Sequence, residues 1–162
     1  MAILTQSGRT AIARSVKSQT IHLAWGTGQS EGGANVLEPE DPTQTALIHE
    51  IGRRVADEVL FCVGDDEEGD LLTPTGRFRA VEQPTNNLFI RTTYDFTDGS
   101  EYTIREFGLF VGTKTALELP EGQKYFLPTD IVDPGILLLL EHSVPLIRTP
   151  ATRESFSFVV SF

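Results

Sequence analysis

The spacing of apolar positions changes along the chain, and the change outlines the elements. Near the front, Leu4, Gly8, Ala11, Ile12 and Val16 recur at helical spacing, with Gln6, Arg9, Arg14 and Lys17 on the other side. Thr5 stands ahead of them as an N-cap, so the pattern predicts a helix over residues 5–17, packed through Leu4, Ile12 and Val16. Ile21-His22-Leu23-Ala24-Trp25 then reads as a short strand closed by Gly26-Thr27-Gly28. Residues 27–43 combine Gly28, Gly32, Gly33, Pro39 and Pro42 with Glu31, Glu38, Glu40 and Asp41, a composition that makes a long loop and no core. Thr45 is placed to cap one or two helical turns carrying Leu47, Ile48 and Ile51, and residues 53–63 read as a strand.

Beyond residue 70 the period becomes two. Leu88, Ile90, Thr92, Tyr94 and Phe96 alternate with Phe89, Arg91, Thr93 and Asp95. Asp98-Gly99 signals a hairpin, with the returning strand over residues 102–111. The uniformly apolar run from Ile136 to Leu140 follows the turn Asp133-Pro134-Gly135 and suits a strand covered on both faces. Phe156, Phe158, Val160 and Phe162 share one face, opposite Ser155, Ser157 and Ser161. The expectation is a single α+β domain over residues 1–162. It is β-rich with long loops, and its N-terminal helix packs on a mainly antiparallel sheet or sandwich with strands near 88–96, 102–112, 136–144 and 154–162.

Charge and cysteine content remove several classes of function. Thirteen basic against 23 acidic residues leave a net charge of -10, which argues against nucleic-acid partners and against docking on anionic membranes. The one cysteine, Cys62, excludes a disulfide framework and a Cys-rich zinc site, and its setting in Val59-Leu60-Phe61-Cys62-Val63 reads as inert core. The opening Met1-Ala2-Ile3-Leu4-Thr5-Gln6 turns polar too soon for a signal peptide, and no apolar run approaches the ~20 residues of a spanning helix. A soluble protein made without an export signal is therefore expected.

Candidate chemistry is sparse. His22, His49 and His142 show no metal-ligand spacing, and no Gly-x-Ser-x-Gly elbow is present. Gly26-Thr27-Gly28 followed by Gly32-Gly33 lacks the Gly-Lys-Ser/Thr of a phosphate loop and runs into acidic residues. Asp65-Asp66-Glu67-Glu68-Gly69-Asp70 does not match a calcium loop and reads as a solvated turn. No catalytic residue, metal or cofactor is expected, and the protein is read as a non-enzyme. One segment stands apart. In Ile104-Arg105-Glu106-Phe107-Gly108-Leu109-Phe110, Arg105 and Glu106 point to opposite faces of a strand, so at least one is expected to be buried and paired with an opposite charge or backbone carbonyls. Gly108 there marks a bulge or a close backbone approach.

The same segment resembles the Ile-Arg-Glu-Val/Ile-Gly-Leu-Tyr/Phe block in the N-terminal domain of tail-collar fibre proteins from contractile-tailed bacteriophages. Three further blocks fall in that family's order. Leu4-Thr5-Gln6-Ser7-Gly8-Arg9 with Ala11-Ile12-Ala13 resembles its opening helix, and Ile21 to Gly28 its strand ending in a Gly-x-Gly turn. Thr45-Ala46-Leu47-Ile48-His49-Glu50-Ile51 with Arg53-Arg54 is similar to its Thr-x-Leu-x-x-Glu-x-x-Arg stretch. The blocks cover residues 4 to about 112; the remainder resembles phage tail and baseplate proteins of about this length. Fibre-shaft repeats are missing up to Phe162, so the receptor contact made at such a shaft's far end does not carry over.

The resemblance implies a structural virion protein of the phage tail: a baseplate or tail-fibre adaptor that anchors and positions other components. It implies baseplate wedge and tail-fibre proteins as partners, along with further copies of the chain itself, and a place in the virion after synthesis in the host cytoplasm. The alternative is a carbohydrate- or receptor-binding β-domain, with Trp25 and the acidic loops as a sugar platform. Candidate assembly contacts are Glu31, Glu38, Glu40 and Asp41, which suit a basic surface on a neighbour, together with Arg105, Glu106 and the chain-end Phe162.

Overall fold

A computed structural model of the chain describes residues 1–29, 37 and 39–162. Helix α1 (Gln6–Lys17) is followed by β1 (Ile21–Gly26), β2 (Glu50–Val55), β3 (Glu58–Gly64), β4 (Leu71–Thr73), β5 (Gly76–Ala80) and β6 (Asn87–Tyr94). Then come β7 (Thr103–Val111), β8 (Lys114–Thr115), β9 (Tyr125–Phe126), β10 (Ile131–Asp133), β11 (Ile136–Ile147) and β12 (Glu154–Ser161). The strands form two five-stranded sheets, ordered β11-β7-β1-β2-β9 and β12-β6-β3-β5-β4, and a small β10-β8 pair. Neighbours run antiparallel, as in β1·β7, β7·β11 and β3·β6. The architecture is thus β-rich and antiparallel with one short helix. The chain divides into two compact units, residues 1–19, 56–93 and 155–162 in the first and residues 20–55 and 94–154 in the second.

In the first unit, α1 begins where the sequence places it. The Gly8 N–H donates to Thr5 Oγ1 (3.1 Å), and Arg14 and Lys17 fall in the last turn, where the helix dipole favours cations. The buried stripe, however, is Ala13 and Val16, while Leu4 and Ile12 are exposed. The reason lies in Lys17. Its ammonium bonds the Val59 carbonyl of β3 and stands over the Phe61 ring, 5.6 Å from its centre, which turns the 13–16–17 face inward. Cys62, Leu71 and Phe89 form the core, with Leu60, Phe78 and Val159 packed on it. On β12 the residue in that core is Val159, from the side opposite the phenylalanines. The backbone of Phe162 bonds Asn86 through its N–H (3.0 Å), and its carbonyl accepts from Asn86 Nδ2 (3.4 Å).

In the second unit, β1 is buried along its whole length, with β7 on one side and β2 on the other. Four expectations change here. No helix forms over residues 45–51, and the stretch 53–63 falls into two strands, β2 and β3. Asp98-Gly99 makes no hairpin, because β6 and β7 belong to different sheets. The turn is anchored instead: Arg54 Nη1 donates to Asp98 Oδ2 (2.5 Å), which also takes the Asp95 N–H. Gly99, at φ +54, lies so near the Trp25 ring that a Cβ would stand 2.9 Å from it. Finally, β11 is not covered on both faces. Among the described residues it pairs with β7 alone, and it is half-buried to exposed throughout.

Candidate functional site

The segment singled out by its charges builds the inside of the second unit. Arg105 is half-buried and Glu106 is fully buried. Backbone amides meet the Glu106 carboxylate: His49 N–H donates to Oε1 (2.8 Å), Ile48 N–H to Oε2 (3.0 Å) and Gly28 N–H to Oε1 (3.3 Å). These donors stand just after β1 and just before β2, so one carboxylate ties the end of β1 to the entry of β2. The Ile48 and His49 amides that a helix at 45–51 would use are taken by this side chain. Gly26 faces the same group, and a Cβ there would stand 2.3 Å from Glu106 Oε1. Glu106 is therefore an internal clamp, fully enclosed within the chain, and its partners are backbone amides instead of the expected opposite charge or backbone carbonyls.

The Glu-x-x-Arg stretch is internal as well. Arg53 holds Glu50 in a bidentate pair (2.7 Å for both bonds) and donates from Nη1 to the Pro134 carbonyl (2.9 Å) and Thr113 Oγ1 (3.1 Å). Its guanidinium lies 4.0 Å from the Phe110 ring centre, so nearly every donor and the cation's face are satisfied. Leu47 packs with Ala24 and Phe110 nearby. Trp25 is fully buried, stacked on Tyr94 at 3.5 Å, with its Nε1–H donated to Tyr125 Oη (3.2 Å). It offers no face to a sugar, which removes the platform from the carbohydrate reading. The Tyr94 hydroxyl donates to the Leu23 carbonyl (2.5 Å), and burial pushes it well above its ordinary pKa.

A cleft of about 950 Å³ opens in the same unit, lined by His22, Val55, Thr113, Leu117, Phe126 and Val132 among others. His22 is buried edge-on to Phe126 (5.4 Å), and burial, aided by the nearby Arg53 charge, lowers its imidazole to about 4. It is neutral at physiological pH. Among the described residues, no three His, Cys, Asp or Glu side chains gather as metal ligands. Burial pushes the Cys62 thiol up to about 11, which keeps it protonated and unreactive. In the acidic run, Asp65 accepts the Glu68 N–H (2.9 Å) and pairs with Arg79 (3.1 Å), closing a turn.

Of the remaining contact candidates, Glu31 and Glu38 lie outside the described residues. Glu40 Oε1 accepts the His142 N–H of β11 (3.1 Å), a bond that lowers its pKa, with His142's charge as a minor contributor. Asp41 accepts the N–H (2.8 Å) and hydroxyl (2.7 Å) of Thr43 and serves a local turn. Arg105 and Phe162 are half-buried. The described candidates thus scatter: Glu40 reaches the edge strand of one sheet, and Phe162 directly follows β12, the edge strand of the other. Sequence reasoning did not single out the β11 edge. Pro145 within β11 was its available signal, since proline in a sheet is confined to edges, strand starts and bulges.

Over residues 1–162 the chain matches the model of a family described as baseplate wedge 3 tail fiber network component. The chain belongs to that family. It is accordingly a phage tail structural protein, associated with the baseplate wedge and tail-fibre network and located in the virion tail. The phage baseplate assignment drawn from the four blocks is thereby established at this coarser level, and the match extends it to the last 50 residues. A search among curated proteins finds no match. For a baseplate component, the burial of Arg53 and Glu106, with Glu50 paired to Arg53, gives the shared blocks a physical meaning: they hold a scaffold together.

Proposed function

We propose that the protein is an adaptor of the contractile-tail baseplate, anchoring and positioning tail-fibre proteins on the wedge as the collar-fibre attachment domain it resembles does. It acts by binding alone, without turnover or cofactor. Its partners are wedge and fibre proteins and further copies of itself, with neither nucleic acid nor membrane involved. It is made in the host cytoplasm and incorporated during assembly. The observation that carries this reading is the internal placement of Glu106, Glu50 and Arg53 in a chain of the baseplate wedge family. A core braced by its own charges leaves loop acids and a strand edge for neighbours. The net charge of -10 suits basic surfaces on those neighbours.

The test is a phage unable to make this chain. Its particles are expected to keep complete wedges and lose their fibre proteins, as counted by quantitative proteomics, with restoration on complementation. Particles carrying the full fibre complement without this protein would refute the adaptor role. Copy numbers in multiples of three or six per tail are expected in the complemented particles.

A further inference from the structure

β11 is the outermost strand of its sheet, paired with β7 on one side and with no strand on the other among the described residues. At 12 residues it runs about 40 Å, long for an edge. Its register slips between Leu137 and Leu139 and between His142 and Leu146, and it contains Pro145. Bulges and proline are devices that keep exposed edges from pairing indiscriminately. Near the middle a side chain stands in for a strand: Glu40 Oε1 accepts the His142 N–H at 3.1 Å, the bond an added strand's carbonyl would make. Toward both ends the aliphatic side chains lie open, Ile136 at 71%, Val144 at 67% and Ile147 at 73% exposure. The edge is therefore acidic at its centre and aliphatic towards its ends.

We infer that the β11 edge docks an extended segment of another tail protein, which adds as a strand with aliphatic residues over Ile136, Val144 and Ile147 and a lysine or arginine at Glu40 and Glu141. This rests on the adaptor reading, because the partner is another component of the tail. The charge pattern selects that occupant over a second copy. Glu141 and His142 are the middle residues of the strand, so full-length antiparallel self-pairing sets Glu141 opposite His142, and β11 carries no lysine or arginine to meet Glu40 or Glu141. Partial desolvation of its carboxyl and the neighbouring Glu40 charge already raise Glu141 from its ordinary pKa. A second copy therefore brings further acid and no cation to this patch, whereas a lysine or arginine on the incoming strand relieves it. Main-chain bonds of this kind supply affinity, and the alternating side chains supply selectivity.

The experiment uses complete particles carrying Val144→p-benzoylphenylalanine in the full chain, irradiated and digested, with the cross-linked peptides identified by mass spectrometry. The expected product joins residue 144 to a segment of a wedge or fibre protein that contains lysine or arginine. A product joining two copies of this chain would overturn the choice of partner. Normal copy number with no cross-link would overturn the docking edge while leaving the adaptor role intact, since that role is judged separately by fibre loss. In parallel, Glu141→Lys, an exposed position, is expected to cut incorporation in competition with wild type by about tenfold at an unchanged melting temperature. Glu121→Lys, the same charge change elsewhere in this unit, is the control. Equal incorporation of the two variants would refute the basic contact.

Discussion

β7 and β11 are paired neighbours, and their compositions run opposite to their surroundings. β7 carries Arg105 and Glu106 mid-strand, yet it is buried from Glu106 to Val111. β11 opens with five aliphatic residues in a row, yet Ile136 is mostly exposed and the following leucines are only half-covered. Position in the sheet explains the difference. β7 has β1 on one side and β11 on the other, and amides from two loop ends converge on its one fully buried charge. Among the described residues, β11 has a partner on one side only. A buried charge is thus stable when donors are arranged around it, and an apolar run stays open when no strand stands beyond it.

This contrast is most severely tested by removing a charge from the sheet interior. Arg53→Met leaves Glu50 without its bidentate partner and is expected to cost about 3–5 kcal/mol in urea unfolding. A loss near that of a surface substitution would show that the buried pair does not brace this side of the contrast. The next effect is pH-dependent and concerns His22, paired across from Phe110 of β7. Unfolded, its imidazole takes a proton near 6.5; folded, it stays neutral down to about 4. Stability is present in full above pH 6.5 and is lost as pH falls through the window to 4, by about 3 kcal/mol. His22→Phe is expected to flatten the curve over the upper part of that window, before carboxylates titrate.

Glu106→Gln sharpens the comparison further. It keeps one acceptor oxygen but turns an NH₂ towards a backbone donor, for an expected loss of about 1–3 kcal/mol by the same measurement. The smallest effect belongs to β11. Ile147→Thr in the isolated protein is expected to change stability by no more than about 0.5 kcal/mol, because the side chain is already mostly in water. A loss above about 2 kcal/mol, the scale of a buried aliphatic side chain, would mean that this edge is covered after all.

What was legible in the amino-acid order was local. Thr5 and the apolar spacing after it place α1 to within a residue, because a cap and its helix lie within one turn of each other. The burial of Cys62, the strand at Ile21–Gly26 and the period-two stretches follow from short patterns, and the four shared blocks announced the baseplate family. Tertiary structure decided the rest. Residues 45–51 stay non-helical because a carboxylate 57 and 58 residues away takes the amides of His49 and Ile48. Asp98-Gly99 joins strands of different sheets because Arg54 and the space beside Trp25 hold that turn in place. β11 is an edge because no described strand lies beyond it, which its leucines do not encode. Caps and periodicity act between residues a few positions apart. Strand neighbours, buried charges and open edges depend on groups far apart in the chain, and those meet only once it has folded.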